Sequence, residues 1–368
     1  MRNFKYINHD NLISNINHFK SKKICAMVKS NAYGHGLREI VKLIDEHVDM
    51  FGVVSVEEAV KVRELTELPI LICSKVDDYK TCRKNKIDVM VDDENDLMDC
   101  LKKDMRQSIH LKINCGMNRF GVKSPLAMRL INDVLEYEKI KLKSIYTHFS
   151  CTDNKKITKN EEKNFQMLRS EITQNAPICF GGSGIFDYDF DFDILRLGIG
   201  MYGYGDKNLK PVLKICSYVS KVFFASKGEK IGYGTHFFAH RDTFFAIVPV
   251  GYGDGLRRNM SGKFEVFING KKRKTTGNIC MDAFFVEVDE SVSIGDEVVV
   301  MADAEYMAKK SETISYEILT GFSNFRGKTK IVWDYLKNIC KSVIINTWWE
   351  WIPGNIKVAD YWKTNTIT

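Results

Sequence analysis

The chain has 368 residues, 44% of them hydrophobic and 27% charged, enough to bury sizeable cores in two domains. A formal net charge of +7 is small for this length, and acidic residues are interspersed with the basic ones, so nucleic acid is not an expected partner. Ten cysteines show no C-x-x-C pair and no zinc-type Cys/His spacing, which reads as reduced thiols in the cytoplasm, with no metal site and no disulfides.

The N-terminal stretch MRNFKYINHDNLISNINHF lacks the apolar core of roughly 7–15 residues that a signal peptide needs. No run approaches the roughly 18 apolar residues of a membrane span. Short apolar, β-branched runs then recur near residues 24–28, 50–54, 68–73, 87–91, 108–113, 143–147, 177–180 and 193–197. Between them lie amphipathic stretches such as Val56–Leu65 and Lys159–Ile172. Eight such alternations predict an α/β fold in the form of a (β/α)8 TIM-like barrel rather than an open sheet.

From about residue 209 strands alternate with turn residues: Ser217–Ala225, Thr243–Pro249, Lys263–Ile268, Ala283–Val288 and Asp296–Met301, with brief helical character at Thr313–Leu319. This predicts a second, mostly β domain. Asn269-Gly270 reads as a two-residue hairpin turn, which makes the basic run Lys271–Lys274 a solvated strand edge. The expected organisation is a barrel over 9–208, a β domain from 1–8 plus 209–339, and a tail of unassigned role over 340–368 containing Trp348, Trp349, Trp351 and Trp362.

AMVKSNAYGHG (26–36) carries the most pointed chemistry. An apolar strand ends in Lys29, at the carboxyl end of a barrel strand, where the active sites of this fold lie. Among apolar neighbours a lysine ammonium is desolvated and its pKa falls, which frees the amine to form a Schiff base with a carbonyl. Taken alone, a lysine after a strand is more often an ordinary loop residue.

The stretch resembles the pyridoxal-phosphate attachment motif of the alanine racemases. Six further blocks resemble that family in order along the chain: KINCGMNRFG (112–121), YTHFSCTDN (146–154), LRLGIGMYG (195–203), IGYGTHF (231–237), PVGYGDGLRR (249–258) and TGNICMD (276–282). The resemblance implies interconversion of L- and D-alanine on pyridoxal 5′-phosphate, supplying D-alanine for peptidoglycan. Lys29 holds the cofactor and serves as the base on the D face, and Tyr233 serves the L face. In the family that tyrosine enters from the partner subunit, so a homodimer with shared sites is implied.

The same resemblance places Arg196 against the pyridine nitrogen and His148 near the ring. It puts Tyr33, Ser183 and the amides of Gly198 and Ile199 around the phosphate, and Arg119, Tyr252 and Met281 at the substrate. Lys112 matches a lysine that many relatives carbamylate to brace the arginine corresponding to Arg119. Several positions depart from the usual pattern: Asn114-Cys115 replaces Asp-Thr, Gly182 replaces a frequent asparagine, Asn278 replaces arginine, and Asn324 stands where some relatives use a phosphate-touching tyrosine. The competing readings are a broader or serine-preferring racemase, a non-catalytic pyridoxal-phosphate carrier, and a fold-related decarboxylase. The carrier would lack the β domain, and Cys280 sits in a racemase-like block rather than a decarboxylase signature.

Overall fold

The computed structural model describes residues 3–102, 107–136, 139–235 and 237–333; the tryptophan-bearing tail lies outside the described residues. The chain opens on β1 (Phe4–Asn8) and then builds the barrel from β2 (Lys23–Met27), β3 (Met50–Val53), β4 (Ile70–Ile72), β5 (Asp88–Val91), β6 (Gln107–Lys112), β7 (Ile140–His148), β8 (Ile178–Gly181) and β9 (Ile194–Leu197). These eight strands close in sequence order, all neighbours parallel, with β9 returning to β2 so that Arg196 pairs with Cys25. The predicted barrel is present.

Strands β3, β4, β5 and β9 are short and buried at every position, as parallel strands covered on both faces must be. Helices such as Val56–Arg63 and Lys155–Arg169 cross between them. Side-chain caps set where these begin: Ser55 accepts from the Glu58 amide, and Asn154 from those of Lys156 and Ile157.

The second sheet is built from β10 (Leu213–Tyr218), β11 (Lys221–Ala225), β12 (Thr243–Val248), β13 (Glu265–Ile268), β14 (Lys271–Thr276), β15 (Phe284–Val288), β16 (Glu297–Met301) and β17 (Lys328–Val332), joined by β1. The order is β11-β12-β15-β14-β13-β16-β10-β1-β17. The first strand of the chain thus pairs antiparallel with β10 and parallel with β17, which ties the N-terminus to the C-terminal sheet.

The expected single strand Ser217–Ala225 is two strands. Val219 donates to the Asp296 carbonyl and Ser220 to that of Ile247, so the chain leaves the β16 side of the sheet there and joins β12. Asn269 and Gly270 both have positive φ, 50° and 68°, and make the tight turn their sequence demands. Lys271–Lys274 pair with β13 on one side, whereas on the other only Thr275 and Thr276 pair with β15, so the basic run borders solvent.

Candidate active site

Lys29 stands two residues past β2, at the carboxyl-terminal mouth of the barrel. Burial lowers its pKa, and the Arg119 and Arg196 charges act in the same direction. Among the described residues its amine has no hydrogen-bond or ion-pair partner.

The next four residues, Ser30, Asn31, Ala32 and Tyr33, all have φ between 52° and 54° and wind one left-handed turn. Left-handed winding costs about 1–2 kcal/mol per non-glycine residue, so this turn stores several kcal/mol that its surroundings must offset. Glu58 accepts from the Ser30 amide at 2.6 Å and the Val54 amide at 3.1 Å. Asn31 accepts from the Leu37 amide at 2.7 Å and donates to the Ser323 carbonyl at 3.1 Å. Gly34 ends the turn at φ +79°, where a Cβ would come within 2.0 Å of the Leu319 carbonyl oxygen.

Arg196, buried on β9, donates to the Thr147 carbonyl at 2.7 Å, and the same nitrogen lies 3.5 Å from His148 Nδ1. Its guanidinium lies 4.4 Å from the Tyr146 ring centroid. Burial first, and then the charges of Arg196 and Arg119, push the His148 pKa down to about 3, so the imidazole is neutral and its Nδ1 accepts from Arg196. These groups meet only because position 181 is glycine: a Cβ there would lie 2.1 Å from the Arg196 guanidinium and 2.5 Å from His148.

On the same rim Tyr33, Ser183, Gly198 and Ile199 come together. The Ser183 hydroxyl accepts from the Gly200 amide at 3.0 Å. A Cβ on Gly198 would lie 2.8 Å from the Tyr33 hydroxyl. The result is a small cradle of hydroxyls and turn amides of the kind barrels use for phosphate.

Lys112 ends β6, buried, with its ammonium over the rings of Phe120 and Tyr146 at 5.1 and 5.6 Å. Among the described residues it has no carboxylate partner. Burial lowers its pKa to about 8, helped by the charges of Arg196 and Arg119. Arg119 is exposed on the following loop, which Asn114 shapes by accepting from the amides of Gly116 and Asn118. The Cys115 thiol contacts the Thr147 hydroxyl at 3.0 Å.

Tyr233, Tyr252 and Met281 lie in the sheet domain and are 72%, 42% and 54% exposed, unusual for side chains of this kind. The Tyr252 amide donates to Cys280 and that of Gly253 to Met281, which locks their two loops together. Asp254, with Gly251 on one oxygen and Arg326 in a two-pronged contact at 2.7 and 2.8 Å, braces the same corner. Asn278, one of the departures from the common pattern, donates to the Tyr233 carbonyl at 2.8 Å. It therefore steadies the loop that presents the tyrosine.

Two other clusters contain reactive residue types and do different work. Ser144, His110 and Asp88 form a hydrogen-bonded chain at 2.6 and 3.3 Å. Ser144 is 0% exposed and Asp88 begins its strand, so the relay is sealed away from the mouth and braces three strands. Asp92, Asp93 and Asp96 could share a cation, but the Lys75 ammonium already sits 2.7–3.0 Å from all three.

The sequence reading did not single out Glu58, Tyr146, Lys5 or Tyr316. For Glu58 the signal was present: Ser55-Val-Glu-Glu58 is a helix-start capping pattern whose acid is free to reach a neighbouring loop. The others carry no local signature.

A parallel barrel with an unpaired lysine at its mouth, facing an arginine, a neutral histidine and a phosphate-type cradle, defines a lysine-centred barrel enzyme with an appended β domain. The chain belongs to the alanine racemase family and is an amino-acid racemase, an isomerase. The family's N-terminal domain matches residues 7–206 and its C-terminal domain residues 212–329. The alanine racemase of Borreliella burgdorferi strain ZS7 is 32% identical over 351 residues, spanning 87% of this chain and 94% of that protein. That of Clostridium kluyveri is also 32% identical, over 85% and 90% of the two chains. Among solved structures, the alanine racemase from E. faecalis superposes with a TM-score of 0.85 at 26% identity, covering 90% of this chain and 98% of that one. The Clostridium difficile 630 enzyme gives 0.83 at 29%, over 91% and 96%.

Proposed function

We propose that this chain interconverts L- and D-alanine in the cytoplasm with pyridoxal 5′-phosphate held by Lys29, supplying D-alanine for peptidoglycan. The observation that carries the reading is the desolvated, unpaired Lys29 amine beside a cradle kept open by glycine. The residues present fit the cofactor. Tyr33, Ser183 and the amides of Gly198 and Ile199 would hold its phosphate, His148 would lie by its ring, and Arg196 would face its ring nitrogen. Bound pyridoxal phosphate supplies an electron sink that lets a hydrogen leave the substrate Cα as a proton.

The protein's part is then to move that proton. Racemisation needs one base on each face of a flattened Cα. Lys29 Nζ takes or returns the proton on the D face, and Tyr233 Oη on the L face. Its exposure supports delivery to the site of a second copy in a homodimer. A phenol, with an ordinary pKa near 10, needs nearby cations to act as a base. A guanidinium does not give up its proton, so Arg196 would offer the cofactor's ring nitrogen a hydrogen bond only. That pairing would favour prompt return of the proton.

Arg119, Tyr252 and Met281 would hold the substrate carboxylate and close the entrance. Lys112 supports the carbamylated reading through its lowered pKa: the uncharged amine is the form that reacts with carbon dioxide, and the resulting anion would sit near Arg196 and Arg119. Beyond the mass added by bound cofactor, the intact native chain should therefore exceed the sequence mass by one carbon dioxide; absence of that increment removes the modification.

The test of function is a scan of all proteinogenic L-amino acids by chiral chromatography. Alanine is expected to turn over fastest, with serine as the main leak, because one extra group in an apolar pocket changes selectivity by only ~1–3 kcal/mol. A faster rate on serine would reassign the substrate, and no turnover on any amino acid would leave a carrier.

A further inference from the structure

Lys5 is a buried cation that the chemistry above does not use. It lies on β1 with 5% of its surface exposed, and its ammonium donates to the Gly34 carbonyl at 2.7 Å and the Phe322 carbonyl at 2.9 Å. Among the described residues no carboxylate is within hydrogen-bond reach of it. Burying an ammonium with no hydrogen-bonded acid is unfavourable, relieved only in part by the charge of Glu39, and a leucine or methionine in this strand would avoid that penalty.

The two carbonyls explain what the charge does there. Gly34 closes the left-handed turn that begins immediately after Lys29 and contains Tyr33. Phe322 opens the 3₁₀ turn Phe322–Asn324, which follows the helix Ser315–Gly321 at the end of the sheet domain. The surfaces are already in close contact: Gly34 packs against the Leu319 carbonyl, Asn31 donates to Ser323, and the Tyr316 ring lies 6.0 Å from that of Tyr33. His35, just past the turn, is buried and neutral, its pKa pushed down to about 3 by burial, and its Nε2 has no hydrogen-bond partner among the described residues, so it adds no charge to this junction. Among the described residues Lys5 alone supplies an ammonium that joins the turn to the sheet domain.

We propose that Lys5 is a positioning residue: by bridging the Gly34 and Phe322 carbonyls it holds the left-handed turn that aims Lys29 and Tyr33, so cofactor retention depends on how the sheet domain docks. The part concerning retention rests on the reading of Lys29 as the cofactor lysine. The part concerning the turn does not.

The test compares the full-length holoenzyme with its Lys5→Met variant, using Ser144→Ala as a control that loosens the far end of the barrel. Hydrogen exchange is read at the amides of Ala32, Gly34 and Gly36, which donate to Val28, Ser30 and Asn31. Cofactor loss on dilution is read from visible absorption. Lys5→Met should speed both at least tenfold, whereas Ser144→Ala should lower Tm and move neither. If Lys5→Met does not fold, Lys5→Gln, which keeps donors on a shorter arm, should show the same changes more weakly.

Exchange and retention within twofold of the parent in the folded Lys5 variant would overturn the proposal, as would equal changes in Ser144→Ala. A parent chain that never gains the absorption band would instead refute Lys29 as the cofactor lysine, and the exchange rates would still decide the role of Lys5.

Discussion

Lys29→Ala is expected to leave a folded protein that shows no visible band from lysine-bound cofactor and no measurable racemisation. In the proposed role the side chain is a tether and a base at once, and the two losses compound. Losing a positioned general base alone costs about 10²–10⁴ in rate. Losing the covalent hold also removes the cofactor from most sites at low concentration. Folding should survive, because the amine has no partner among the described residues, and removing an unpaired amine from partial burial relieves a desolvation cost. The checks are absorption before and after adding pyridoxal phosphate, Tm, and chiral chromatography of alanine. A band that persists in the variant would place the cofactor on another lysine. Lys112 would be the next candidate, being buried with its pKa lowered to about 8.

The barrel was legible because its strands write themselves as apolar runs. Ile70–Ile72 and Met50–Val53 are buried at every position, so each appears in sequence as an uninterrupted hydrophobic segment. The sheet domain was less legible where the chain changes partners. Nothing within Ser217–Ala225 marks the point at which it leaves β16 for β12, because strand propensity is the same on both sides of the switch. β17 escaped for a related reason: three of the five residues of KTKIV are polar, and it becomes a strand by lying parallel to β1, more than three hundred residues earlier.

Among candidate site residues the divide is the same. Lys29, Tyr33, His148, Ser183, Arg196, Gly198 and Ile199 stand at the ends of strands or in the turns just beyond, where the fold gathers them on one rim. Lys5 and Tyr316 approach that rim from distant parts of the chain. Their positions depend on domain docking, which leaves no periodic trace. Of the departures from the common pattern, Asn278 and Asn114 have local tasks that an asparagine amide performs well, holding the Tyr233 carbonyl and shaping the Arg119 loop. Gly182 adopts φ +115°, a conformation that suits glycine better than the asparagine it replaces. Nothing in the structure explains Asn324.

Tyr233→Phe is expected to divide the reaction into its two halves. The variant should keep the cofactor band and its Tm, since the side chain is 72% exposed in the single chain and the change removes one oxygen. Racemisation from L-alanine should fall about 10²–10⁴-fold, the range for loss of a general base. Exchange of the Cα hydrogen of D-alanine with deuterated solvent should persist if Lys29 serves that face as proposed. Equal loss of exchange from both enantiomers would mean that Tyr233 holds the substrate rather than moving its proton.

The same pair of variants tests where the tyrosine acts. If Tyr233 completes the site of a second subunit, a mixed dimer of Lys29→Ala and Tyr233→Phe chains contains one doubly defective site and one intact site. Mixing two inactive proteins under exchanging conditions should therefore restore activity, approaching one working site per mixed dimer. If Lys29 and Tyr233 of one chain served the same site, every site in the mixture would carry a defect and no activity would return.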